Sequence, residues 1–322
     1  MLYLLICIVI GFSLRRAKIL PDNSSKVMAK LETWVFCPAL NFVSMATYCT
    51  VDSFSQHATN ILLSCLIIAI ALTVAILLSR VFIPQKCYDR GVYAYALMFG
   101  NFGFLADPLV IALFGDALFA YYKLFTMPLS ILCYVWGISV LVPSGKSERG
   151  CKSIIKKVFT PPTIALLLGI LVGILGIYGS FPLFLTDTLT SLKSCMGPVA
   201  MILAGFTIAG YPMKRMLLNK KVYYATALRL IVIPAFLIVA IFGIINLLSE
   251  FGLDAGKNAI FFVFFAYATP LGMNTIVFPE AYGANPETGA SMAMISHTLS
   301  VLTIPILYTV MTLIFGSPVL PI

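Results

Sequence analysis

Charge is what this chain of 322 residues has least of: Asp, Glu, Lys and Arg together make up 10% of it, while apolar residues make up 61%. Soluble globular domains carry about 25% charged residues, so that class is excluded. Histidine occurs only as His57 and His297, too few imidazoles for a His-based metal centre. The 8 cysteines include no Cys-x-x-Cys pair, and most fall inside apolar runs, so they read as small core residues rather than a disulfide frame or metal site. H-E-x-x-H, G-x-S-x-G and the phosphate-cradling G-x-x-x-x-G-K-[ST] are all missing, as are paired aspartates in facing apolar runs. The expectation is a protein that is not an enzyme, holds no metal or organic cofactor, and draws on an ion gradient (protons or sodium) rather than on nucleotide hydrolysis.

What the chain does have is apolar length. Mean hydropathy is +1.02, and runs of about 20 apolar residues recur from end to end, as a hydrocarbon layer of about 30 Å requires. The runs fall near 1–14, 29–47, 60–83, 91–114, 119–142, 161–179, 188–209, 222–248, 257–279 and 289–315. Ten membrane-spanning helices are expected. The first is short, and its flank Arg15-Arg16-Ala17-Lys18 lies on its C-terminal side, which suits a span better than a secretory signal.

The net charge of +9 is distributed by topology. Arg15, Arg16, Lys18, Lys26 and Lys30 fall in the first loop, Arg80, Lys86 and Arg90 in the third. Lys146, Arg149, Lys152, Lys156 and Lys157 fall in the fifth, Lys214, Arg215, Lys220 and Lys221 in the seventh. Even-numbered loops hold only Lys123, Lys193 and Lys257. Basic loops stay cytoplasmic, so both termini are expected outside, and the basicity is no surface for nucleic acid.

The polar stretch 143–160 divides the chain into a first five-helix repeat, 1–142, and a second, 161–322. An odd number of spans per half inverts the second half. In each half the fourth apolar run is interrupted, by Gly100-Asn101-Phe102-Gly103 through Asp107-Pro108 and by Ala266-Tyr267-Ala268-Thr269-Pro270-Leu271-Gly272-Met273-Asn274-Thr275. Proline lacks an amide donor and crowds the preceding turn, so both runs should unwind. Unwound backbone survives in a bilayer only inside protein or beside a watery cavity. A matched pair of such breaks marks the binding site of a secondary transporter. The half-helices that follow point positive N-terminal ends at the break, where an anion is favoured. The candidate substrate-binding residues are Asn101, Gly103, Pro108, Pro270, Asn274 and Thr275. The alternative for each break is a packed kink with its amides bonded to neighbouring backbone.

Three ionisable groups are candidates for ion or proton coupling. Asp107 reads as the sole deep carboxylate, either a proton carrier or a cap on freed amides. Arg229 either attracts an anion, counters an acid such as Asp107, or snorkels toward the basic loop nearby. His297, with Ser296 and Ser300 beside it, is a proton relay or an interhelix packing residue. Glu32 and Glu280 sit near span ends and read as interfacial, and Asn41 beside Pro38 is a weaker site candidate.

The stretches GFSLRRAKILP at 11–21, GNFGFLADPL at 100–109, NTIVFPEAYG at 274–283 and SVLTIPI at 300–306 resemble the auxin efflux carrier family of membrane transport proteins. The resemblance implies a ten-helix inverted repeat in which helices 4 and 9 cross, a scaffold of helices 1, 2, 6 and 7, a moving transport domain of elevator type, and homodimers. Its substrates are small organic anions, auxin-like or malate-like carboxylates. The family's crossover positions correspond here to Asn101, Pro108, Pro270 and Asn274. Ala106-Asp107 departs from the glycine and apolar residue common there, and the short 143–160 loop suits a bacterial-type member in the inner (plasma) membrane. Within transport the alternatives are a sodium/proton exchanger or a bile-acid-type sodium symporter; outside it, a membrane-embedded enzyme or receptor.

Overall fold

The computed structural model describes residues 2–52, 58–85, 87–141, 159–210, 218–251 and 257–318. Among them the chain is all helix. In order these are α1 (Leu2–Arg16), α2 (Ser24–Leu31), α3 (Cys37–Tyr48), α4 (Ala58–Phe82), α5 (Tyr88–Met98), α6 (Asp107–Leu132), α7 (Ile138–Leu141), α8 (Pro161–Leu175), α9 (Leu183–Ala209), α10 (Lys220–Ala227), α11 (Ile233–Glu250), α12 (Asn258–Tyr267), α13 (Asn274–Tyr282) and α14 (Glu287–Phe315). Every expected apolar run carries helix, and the runs at 91–114 and 257–279 are broken, between α5 and α6 and between α12 and α13. Most of the 143–160 stretch and His57 lie outside the described residues.

Wide π turns join several helices: Glu32–Phe36 between α2 and α3, Phe102–Ala106 ahead of α6, and Leu228–Val232 between α10 and α11. Each stands just before a proline, Pro38, Pro108 or Pro234. The missing amide and the ring's push on the turn behind it favour a widened turn there.

Among the described residues, five helical stretches are long and apolar enough to cross a membrane: Ala58–Phe82, Tyr121–Leu141, Leu183–Ala209, Lys220–Glu250 and Glu287–Phe315. Helices α8 and α12 are shorter and equally apolar. Leu62, Leu66 and Leu77 on α4, Leu171 on α8, Val239 on α11 and Leu313 on α14 are exposed. Such belts of bare aliphatic side chains suit lipid, not water. The protein is an α-helical integral membrane protein.

Close packing divides the chain into two units, each assembled from both halves of the sequence. The first comprises Met1–Gln56, Ser130–Asn219 and Met273–Ser291, the second His57–Leu129, Lys220–Gly272 and Met292–Ile322. In the first unit α1 lies along α9, and α3 lies along α8 and α9. The α1–α9 seam depends on glycine. A Cβ at Gly205 would fall on the Ile8 carbonyl, and one at Gly11 on the Ile202 carbonyl. Small residues let helix backbones approach where no water drives association. Gly205→Ala is therefore expected to lower the thermal midpoint in detergent, an overpacking loss of about 1–3 kcal/mol. Asn41, the weaker site candidate, donates from Nδ2 to the Pro162 carbonyl at 3.0 Å and so ties α3 to α8.

In the second unit α12 is apolar all round and buried all round, from Ala259 to Tyr267. Its Phe262 ring lies 5.7 Å from Phe125 and 6.1 Å from Tyr122. This aromatic core holds the C-terminal end of α12, and with it the start of the second break, in a fixed place.

Candidate functional site

Backbone donors and acceptors decide how the two interruptions are tolerated. Helix α5 stops at Met98, and residues 99–101 run extended. Across from them lies the strand-like stretch Pro270–Gly272. The Asn101 amide donates to the Pro270 carbonyl at 2.7 Å, and the Gly272 amide donates to the Phe99 carbonyl at 3.3 Å. Gly100 and Leu271 thus form a one-step antiparallel bridge. Leu271's amide donates to Ser296 Oγ of α14 at 3.2 Å. Each broken segment satisfies the other, which is what unwound backbone needs in a bilayer. The Asn101 carbonyl then accepts from the amides of Leu105 and Ala106, both at 3.1 Å, and starts the helix that follows.

Asn101 is buried, and its side chain meets His297. His297 Nδ1 lies 2.9 Å from the Ala293 carbonyl, and Nε2 lies 3.2 Å from Asn101 Nδ2. A carbonyl can only accept, so Nδ1 carries the proton and Nε2 is left as an acceptor. The Asn101 amide nitrogen must then donate to it. His297 is neutral here, and it orients Asn101 at the bridge.

The glycine of the bridge makes room for a cation. A Cβ at Gly100 would collide with the Arg229 guanidinium and the Thr269 hydroxyl. Arg229 is 2% exposed, so it does not snorkel. Its Cζ lies 5.9 Å from the centre of the Tyr267 ring. None of its three guanidinium nitrogens has a hydrogen-bond partner among the described residues, and neither do the Thr269 and Tyr267 hydroxyls. A guanidinium keeps its charge, and burying it unpaired is costly. The break therefore presents a fork of N–H donors and two hydroxyls with nothing to bind. A Cβ at Gly103 would meet no atom within 4 Å, so open space adjoins the turn that follows Asn101.

Asp107 does not counter Arg229. Its Oδ2 accepts from Lys123 Nζ at 2.6 Å, and both residues are buried. Gly115, at φ +76°, splits α6 into two legs, and the pair lies eight residues on either side of it. The charge pattern placed Lys123 in an outward loop; instead it is 4% exposed on the second leg of α6. Glu32 is a second buried carboxylate, 0% exposed.

Asn274 and Thr275 belong to the first unit, not to the unit holding Asn101. Asn274 opens α13 and directs Nδ2 at Cys133 Sγ, 3.5 Å away, while Thr275 is fully buried. Pro270 contributes its carbonyl to the bridge; the Pro108 side chain lies outside the described residues. The sequence reading missed Tyr267, Thr269, Lys123 and Ser296. The first two stood inside the quoted break, and their polarity in an otherwise phenylalanine-rich run was the available signal. No disulfide joins the described cysteines, and no group of three or more His, Cys, Asp or Glu that could hold a metal occurs among the described residues.

A lipid-exposed helical protein with two mutually satisfied helix breaks around a buried cation falls in the class of membrane carriers. The sequence profile of the membrane transport protein family matches residues 1–308, and the chain belongs to that family, the auxin efflux carrier family of the resemblance above. An uncharacterised transporter of Methanocaldococcus jannaschii is 25% identical over 308 residues, covering 94% of this chain and 95% of that protein.

Proposed function

We propose that the protein is a secondary transporter of small organic anions, carboxylates of malate-like or auxin-like kind, and that Arg229 is the residue that binds them. One observation carries this reading: a buried guanidinium without a hydrogen-bond partner among the described residues, set against Gly100 at a helix break, with the Thr269 and Tyr267 hydroxyls also unused there. A carboxylate matches the planar fork of arginine and can accept from neighbouring hydroxyls. Asn101, oriented by His297, supplies a neutral polar contact beside it.

The ten-span, five-plus-five inverted repeat with both termini outside belongs to the same proposal, as do elevator-type alternating access, the homodimer and the bacterial inner membrane. Support for the elevator comes from the units themselves. The first gathers α1, α2 with α3, α8 and α9, the helices that the family resemblance assigns to a scaffold, together with residues 130–141 and the half-helix α13. The second holds the bridge and Arg229.

Proteoliposomes carrying the purified protein test the function. Gradient-driven uptake of at least one acid among malate, a 2-keto acid and indole-3-acetate is expected. The same acid should raise the thermal midpoint of the detergent-solubilised protein by mass action. No flux of any of them under imposed proton and sodium gradients overturns the reading.

A further inference from the structure

Glu32 has no part in the site around Arg229. It opens the π turn Glu32–Phe36 in the first unit, is 0% exposed, and has no hydrogen-bond partner at either carboxylate oxygen among the described residues. The ionisable groups around it offer no counter-charge. Cys37, on α3, acts on it electrostatically and donates from Sγ to Tyr134 Oη at 3.3 Å. Tyr282, on α13, interacts electrostatically with Cys37. On α2, Lys26 and Lys30 are exposed. On α9, Asp187 is exposed, and Lys193 and Cys195 are half-buried. Helix α8 carries no ionisable side chain, and Glu280 on α13 interacts with Arg15 and Lys26.

A buried carboxylate in this setting must be neutralised, by a metal cation or by a proton. A hard cation needs several oxygen ligands. No second carboxylate joins Glu32 in a group that could hold a metal among the described residues, and thiols such as Cys37 are poor ligands for such ions. We propose that Glu32 is a proton-binding site, holding the carboxylic acid form in this conformation, and that it supplies the coupling proton of transport. This rests on the transporter reading for the coupling role alone. The contrast with Asp107 supports it: that carboxylate has an ammonium at 2.6 Å and needs no proton. A titratable group that is unpaired within a membrane span is where a proton relay is expected, and π turns recur at functional positions.

Infrared spectroscopy of the full-length protein in nanodiscs at neutral pH reads the protonation directly. The protonated carboxyl C=O band is expected in the wild type, to be lost in Glu32→Gln and kept in Asp107→Asn. Absence of that band from the wild type, or its persistence in Glu32→Gln, overturns the site, and the first result needs no variant. In proteoliposomes, Glu32→Gln should transport while losing the dependence of uptake on a pH gradient. Uptake that still follows the gradient overturns the coupling role. A band without flux in the acid screen would sink the transporter reading and leave the proton site standing; flux without the band does the reverse.

Discussion

Arg229→Gln is expected to abolish organic-anion uptake by the reconstituted protein while leaving its fold intact. Losing one partner of a buried, hydrogen-bonded ion pair costs roughly 2–5 kcal/mol, about 30-fold to a few thousand-fold in affinity. Arg229→Lys should fall between, because it keeps the charge and loses the fork. The substrate-free protein should respond in the opposite sense. Its guanidinium is buried with no partner at Nε or at either terminal nitrogen among the described residues, so Arg229→Met should leave the thermal midpoint unchanged or raise it. A stabilising function-loss is the mark of a ligand site; a residue that merely holds the fold would lose both together. If Arg229→Gln transports at the wild-type rate, the anion site is elsewhere.

The second large effect is on stability and belongs to Asp107 and Lys123. Lys123→Met leaves an uncompensated carboxylate and Asp107→Leu an uncompensated ammonium, both buried inside the second unit. Each single change should destabilise by about 3–5 kcal/mol, while the double change should recover most of it. Unfolding midpoints in detergent for the four proteins give the coupling energy. A double variant as unstable as the sum of the singles would mean that the 2.6 Å contact contributes nothing. The cycle also bears on transport: with Asp107 serving as the tie between the two legs of α6, Asp107→Asn should damage stability more than pH coupling.

How much could be read from the sequence depended on whether the cause was local. The breaks were legible because their cause lies in the residues themselves. Gly100, Asn101 and Pro108 in one run, and Pro270 and Gly272 in the other, lack the donors and the steric order that a continuous helix needs. Arg229 and His297 were visible as polar residues in apolar runs, yet relay and packing, binding and snorkelling could not be told apart there. Those choices rest on distances such as the 3.2 Å from His297 to Asn101, residues far apart in the chain. Lys123 was misplaced because a lysine between two apolar runs looks like a loop until the kink at Gly115 folds it back toward Asp107. The burial of Glu32 was not legible either, because hydropathy locates the end of a run but not the side on which a π turn delivers a carboxylate.

By itself the sequence determined the membrane class, the helical runs and the two points at which they fail, since each follows from composition and backbone chemistry within a few residues. Tertiary structure alone decided that the two failures bond to one another through Asn101, Pro270, Phe99 and Gly272. It alone decided that Asp107 belongs to Lys123 and that Arg229 and Glu32 are buried without hydrogen-bond partners among the described residues. The reason is physical: partners for a buried charge come from other helices, and packing of distant segments, not local propensity, chooses which charges meet and which are left for a ligand.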